Sequence, residues 1–139
     1  MIVSDITELT VMAVLGRGVP NEECIAIQAN ERINIGQYGI MLGMYAQSKS
    51  AVPFRDNLFW FGDGFIEKGD WLFIYTGMGE PRKSSTNDEA NSIFTVFWGK
   101  PNTVFANTNI VPVLFRVDAV DVFSPPDNQP QIKKLNSPT

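Results

Sequence analysis

Along most of this chain apolar and polar residues alternate with a period of two, and that alternation predicts β-strands. The clearest case is Trp71-Leu72-Phe73-Ile74-Tyr75. Trp71, Phe73 and Tyr75 fall on one side of an extended backbone, Leu72 and Ile74 on the other. Both sides are apolar, so the segment reads as a central strand with Trp71 in the core. Earlier strands are expected over residues 6–15, 23–29, 32–35 and 38–45. In residues 23–29, Cys24 and Ala26 share one side and Ile25 and Ile27 the other. Residues 52–61 predict a strand ending in Phe59-Trp60-Phe61, with Pro53 marking an edge or entry position. Residues 93–98 predict another aromatic strand. Residues 110–123 read as one long last strand, or as two short ones broken by a bulge.

Turn chemistry separates these runs. Gly16-Arg17-Gly18-Val19-Pro20-Asn21, Gly62-Asp63-Gly64 and Gly99-Lys100-Pro101-Asn102 gather residues that favour reversals. Residues 77–91 carry Gly77, Gly79, Pro81, Ser84-Ser85-Thr86 and mixed charges. They predict a mobile surface loop, cut first by a protease near Arg82 or Lys83. No segment shows a helical apolar stripe. Strands and turns at short intervals predict an all-β fold, an antiparallel β-sandwich. Residues 1–123 form that single domain, and residues 124–139 are expected as a flexible, polar, proline-containing tail.

Composition narrows the chemistry. A chain of 139 residues can bury one complete core. The net charge of −4 and the scattered Lys and Arg disfavour nucleic acid and anionic membrane as partners. The pairs Arg82-Lys83 and Lys133-Lys134 read as solubilising charges. No apolar run is long enough to span a bilayer, and Met1-Ile2-Val3-Ser4-Asp5 does not read as a signal peptide. The expectation is a cytoplasmic protein as given, or a secreted one if excised from a larger precursor.

The chain has no histidine. Ser-His-Asp and Cys-His catalysis are therefore excluded, as are zinc sites built on imidazole. Cys24 is the single cysteine, so no intramolecular disulfide can form. It reads as a buried, inert thiol, because Glu22 and Glu23 beside it would raise a thiol pKa. Gly77-Met78-Gly79 resembles a phosphate loop faintly, but no helix follows to hold the phosphate. Asp63, Glu67 and Asp70 could cluster around calcium or act in acid–base work, yet turn residues explain them as well. No cofactor and no metal are expected. Trp60 and Trp98 are the candidate binding residues, as exposed aromatics able to anchor a partner or stack on a sugar.

Several ordered pieces resemble the lamin-tail domain, an immunoglobulin-like β-sandwich. They are Glu22-Glu23-Cys24-Ile25-Ala26-Ile27, then Ile33-Asn34-Ile35-Gly36-Gln37-Tyr38, then residues 68–79 with Tyr75-Thr76-Gly77-Met78-Gly79. Phe97-Trp98-Gly99 and Val104-Phe105-Ala106-Asn107 complete the series. The likeness covers about residues 22–115. Tyr38 stands where a Trp is usual, Ala106 replaces an Asn, and the closing Asp-x-x-Gly hairpin is absent. The resemblance implies an immunoglobulin-like binding or scaffolding module without fixed chemistry.

The sequence thus reads as a non-catalytic binding or assembly module rather than an enzyme. Two alternatives stay open: a structural subunit of a larger assembly such as a phage or secretion particle, and a small hydrolase using carboxylates alone. A protein partner or self-association is expected, with carbohydrate as a further ligand class. A homodimer is expected, built by edge pairing or by an apolar face; residues 6–15 and the tail after Ser124 lie at the sequence ends, where edge strands tend to fall, and Asp5, Glu8 and Arg17 are the nearby charged gatekeepers of residues 6–15.

Overall fold

The structure, a computed structural model, describes residues 5–48 and 50–126. Most of the expected tail, from residue 127 onward, lies outside the described residues. Ten strands follow in chain order: β1 (Leu9–Leu15), β2 (Cys24–Ala29), β3 (Ile33–Asn34), β4 (Tyr38–Ala46), β5 (Ser50–Trp60), β6 (Phe65–Ile66), β7 (Trp71–Tyr75), β8 (Arg82–Ser85), β9 (Ser92–Phe97) and β10 (Ile110–Arg116). Among the described residues there is no α-helix, only a 3-10 turn at Ile35–Gln37. The fold is all-β. Its sheets have the orders β1-β2-β7-β9-β8, β10-β4-β5 and β3-β6, and none of them closes.

Alternation builds the core. Ile25 and Ile27 of β2, Ile40 and Leu42 of β4, and Leu72 and Ile74 of β7 are buried. With Leu9, Ile66 and Phe105 they form one cluster drawn from all three sheets. Burying such side chains is the main favourable contribution to folding, about 1.5–3 kcal/mol for each.

The structure differs from the expected elements in four places. Trp71 is not in the core. On β7 the buried residues are Leu72 and Ile74, while Trp71, Phe73 and Tyr75 are half-buried on the outer face. The strand is central as expected, but only one face of its sheet meets the core. Residues 77–91 are not one long loop, because they contain β8. Its sequence Arg82-Lys83-Ser84-Ser85 is polar since it forms a sheet edge, where charge deters stray pairing. The two cations lie over rings of β9, Arg82 5.7 Å from Phe97 and Lys83 5.4 Å from Phe94.

The third difference is direction. β7 and β9 run parallel, unlike the other pairs. The chain leaves β7, crosses to the sheet edge as β8, and turns back so that β9 fills the gap beside β7. The last difference is length. β10 stops at Arg116, opposite Tyr38 where its partner β4 begins, and beyond one more backbone bond to Gln37 the chain before β4 is a 3-10 turn rather than a strand.

One buried charge organises an end of the fold. Glu23 is only 1% exposed. Its Oε1 accepts from Thr76 Oγ1 (2.8 Å) and Val104 N (2.7 Å), and its Oε2 from Gly18 N (2.9 Å) and Phe105 N (2.9 Å). Burial alone would push its pKa up, but these four donors outweigh burial and hold it below the usual carboxylate range. The backbone joins in, with Thr76 N donating to Glu23 O at 3.0 Å.

Two stability tests follow from these placements. Leu72→Ala should cost about 2–5 kcal/mol in urea denaturation, and Trp71→Ala less than the ~3–5 kcal/mol of a fully buried Trp. Glu23→Gln keeps the shape but turns one acceptor into a donor facing two other donors. It should cost about 3 kcal/mol or more; an unchanged midpoint would show that the carboxylate does not hold this end together.

Candidate functional site

The three-stranded sheet has an outer face with two apolar rows. Gly39 of β4 lies opposite Trp60 of β5 and Phe115 of β10; Met41 lies opposite Leu58 and Val113. Ile40 and Leu42 point into the core, so these neighbours point away from it. None of the residues in the rows is charged. Leu58 is 56% exposed and Trp60 52%. Gly39 is required here, because a Cβ would collide with the Phe115 ring. At Gly43 a Cβ would lie 3.0 Å from Val113 Cγ2. The two glycines let the side chains of β10 settle across β4. Trp60 Nε1 donates to Gly36 O at 2.6 Å, which satisfies the indole within the chain and leaves the exposed ring for apolar contact.

The outer face of the five-stranded sheet largely covers itself. Trp71 meets Phe73 edge-on at 5.9 Å, and Tyr75 stacks on Phe97 at 5.4 Å. Tyr75 and Phe73 lie opposite Cys24 and Ala26, which are buried although they point outward. The Cys24 thiol is pushed up to about 12 by burial, so the buried-thiol expectation holds and thiolate is negligible near neutral pH.

Trp98 points the other way from Trp60. It packs against the core with its ring 5.6 Å from Phe59, and Lys100 Nζ sits 5.1 Å over it. The two candidate tryptophans therefore do not share a surface. Trp60 stands on an exposed face, whereas Trp98 is half-buried at the rim of the core.

A charged groove of about 680 Å³ lies at the end of the fold away from Glu23, lined in part by Glu8, Arg32, Tyr38, Phe65 and Arg116. Most of its charges are paired. Glu8 accepts from the Tyr38 hydroxyl and from Arg116 Nη1 (3.0 Å), and Arg116 Nε also holds Asp118 (2.9 Å). Arg32 binds Glu67 at 2.9 Å and lies 4.3 Å over the exposed Phe65 ring. The Tyr38 hydroxyl, with smaller help from Arg116, holds Glu8 down at about 2. Burial, then the Glu8 carboxylate, pushes Tyr38 up to about 12. Asp118 and Glu8 push the Arg116 pKa upward.

The remaining sequence candidates are structural. Gly77 O accepts from Gly99 N at 2.9 Å in the exit from β7, and no helix follows to build a phosphate site. Asp70 accepts from Glu67 N and Ser92 N, each 2.9 Å, and from Asn91 Nδ2 at 3.2 Å. Burial opposes its ionisation, but these donors outweigh it and lower its pKa. Among the described residues no group of three or more His, Cys, Asp or Glu could hold a metal ion. Nor is any helix of the described residues long and apolar enough to cross a membrane.

Compared with known proteins, the chain matches no family model, no curated sequence and no solved structure. The site rests on its geometry. Sequence reasoning had singled out Trp60 but missed Leu58, Met41, Val113 and Phe115 beside it. The signal was present in β10, whose Ile110-Val111-Pro112-Val113-Leu114-Phe115 is apolar on both faces although the strand ends its sheet.

The groove makes a pH prediction. Glu8 is lowered from 4.5 to about 2, so its contribution is complete above pH 4.5 and fades as pH falls toward 2. Glu23 and Asp70 act in the same direction. Thermal melts across this range should lose stability on acidification, and Glu8→Gln should flatten the slope. An identical acid limb in parent and variant would remove Glu8 from this role.

Proposed function

We propose that the chain is a non-catalytic assembly module that associates with a second copy of itself through the outer face of the three-stranded sheet. One observation carries this reading: the uncharged rows Trp60-Gly39-Phe115 and Leu58-Met41-Val113, with Leu58 and Trp60 more than half exposed. A contiguous apolar patch of this kind is a mark of an interaction surface. Its aromatic and Met content is that of an interface core. The reading takes the two larger sheets as the layers of a β-sandwich, organised like an immunoglobulin or lamin-tail domain. In support, one cluster draws on both sheets. Two of the pieces that carry the lamin-tail resemblance also converge on a carboxylate in a third, as Thr76, Val104 and Phe105 all donate to Glu23.

The rival readings find less to stand on. A carboxylate hydrolase needs an acid whose pKa is raised toward neutrality. Glu8, Glu23 and Asp70 are all lowered. A sugar platform needs polar groups beside the ring, yet the neighbours of Trp60 are apolar and its indole N–H is bonded to Gly36. A subunit of a larger particle would use the same face and differs only in the number of copies.

Light scattering of the full chain over a micromolar concentration series tests the reading. The mass should rise above the monomer and return to it in Leu58→Glu, which places a charge among the apolar rows. A monomer mass at every soluble concentration would overturn it.

A further inference from the structure

The free edges of the two larger sheets meet along one side of the molecule. β1 ends the five-stranded sheet and β10 ends the three-stranded one. Side chains tie them at both ends. Arg17 Nη1 donates to Ile110 O (3.1 Å) where β10 begins, and Arg116 Nη1 to Glu8 Oε2 (3.0 Å) just before β1. Between the ties β1 pairs with β2 alone and β10 with β4 alone. Each strand therefore offers unpaired backbone groups along this seam. An apolar cleft of about 470 Å³ lies there, lined by Val11 of β1, residues 111–114 of β10, and Tyr45 and Ala51.

The other edges are guarded. β8 carries Arg82 and Lys83, and β5 carries Pro53, Arg55 and Asp56. β10 contains Pro112. β1, Leu-Thr-Val-Met-Ala-Val-Leu, has neither charge nor proline.

The same chain supplies an exposed segment in which Val120, Val122 and Phe123 flank Asp121. Residues 118–126 have no regular structure and are exposed throughout. Val120, Val122 and Phe123 are 75%, 78% and 86% exposed, more than any other large hydrophobic side chain among the described residues. The root of this arm is fixed. Val117 N donates to Gln37 O (2.8 Å), and Gln37 Nε2 donates to Val117 O (2.9 Å). These bonds carry the line of β10 past the end of β4. Residues 118–126 are exposed throughout, so the arm does not lie in the seam of its own chain. Residues 119–123 extend about 17 Å at strand spacing, shorter than the seven-residue β1.

We propose that residues 119–123 of one copy add as a strand to the free edge of β1 in a second copy. Val120 and Val122 then share the side facing the cleft at the seam, and Phe123 the side on which Leu15 is exposed. This rests on the self-association reading above and names a contact that the sheet face does not supply.

Two measurements on the full chain test it. The double variant Val120→Asp, Val122→Asp should weaken self-association at least about tenfold in a light-scattering series, with near-UV circular dichroism unchanged. A Phe123→Cys copy mixed with a differently tagged Met12→Cys copy, both on the side of the added strand away from the cleft, should form a mixed disulfide under mild oxidation; the native Cys24 is buried and does not compete. Undiminished association in the double variant, or no mixed disulfide, would overturn arm exchange. If association survives the double variant but is lost in Leu58→Glu, the arm falls and the sheet-face reading stands. A chain monomeric at every concentration would remove both.

Discussion

The carboxylate of Glu23 is the constraint on which the arrangement of this fold depends. A carboxylate taken out of water without compensation costs several kcal/mol. Glu23 forms no ion pair among the described residues. Its compensation is four donors, and they come from places far apart in sequence: the turn after β1, the end of β7, and the loop that leads into β10. Each donor is useful only if its segment stands in one position. Satisfying the charge therefore joins the two larger sheets at this end. Arg17 extends the arrangement, donating to Phe105 O and Ile110 O, so the start of β10 is set by the same turn that holds Gly18.

The opposite end uses charge differently. Glu8, Arg116 and Asp118 lie in a groove reached by solvent, where an ion pair alone contributes little. What makes Glu8 distinctive is the Tyr38 hydroxyl, whose ring is buried while its oxygen reaches the groove. The pair fixes the start of β4 against the start of β1. With both ends tied, β1 and β10 are held side by side without a shared ladder, and the seam between them stays open.

Much of the fold was legible in the sequence because alternation is a local signal. It located β2, β4, β5, β7 and β9 to within a residue or two, and Pro53 identified β5 as an edge. What escaped depended on partners. β8 looks like a loop because an edge strand is made polar. Trp71 looks like core because alternation cannot tell which of two apolar faces meets the core. Residues 118–123 look like the continuation of a strand, but the chain before β4 turns away after Gln37 accepts from Val117. In the sequence Glu23 reads as the acidic start of a strand and as a neighbour of Cys24, not as a buried charge. Nothing in Glu22-Glu23-Cys24 says which carboxylate will be sealed in, since its donors lie between five and 82 residues away. Of the candidate site, Trp60 was legible as a surplus aromatic. Its row was not, because it exists only once β4 stands between β5 and β10.

The placement of charge also bears on how the self-association proposed above would gain its specificity. The charged side chains around the apolar rows are of both signs: Arg116 pairs with Glu8 and Asp118, Arg32 with Glu67, and Arg55 and Asp56 follow one another on β5. The rows themselves have none. Long-range steering and charge complementarity are therefore poor sources of specificity here. Selection must come from shape, and the shape has a definite origin. Glycine at positions 39 and 43 lets Phe115 and Val113 lie down across β4, while Leu58 and Trp60 stand on the far side. Trp60 is held in place by its bond to Gly36 O rather than left to turn. A partner surface thus meets side chains already ordered in the free chain, and the entropy of fixing them does not fall on the binding step.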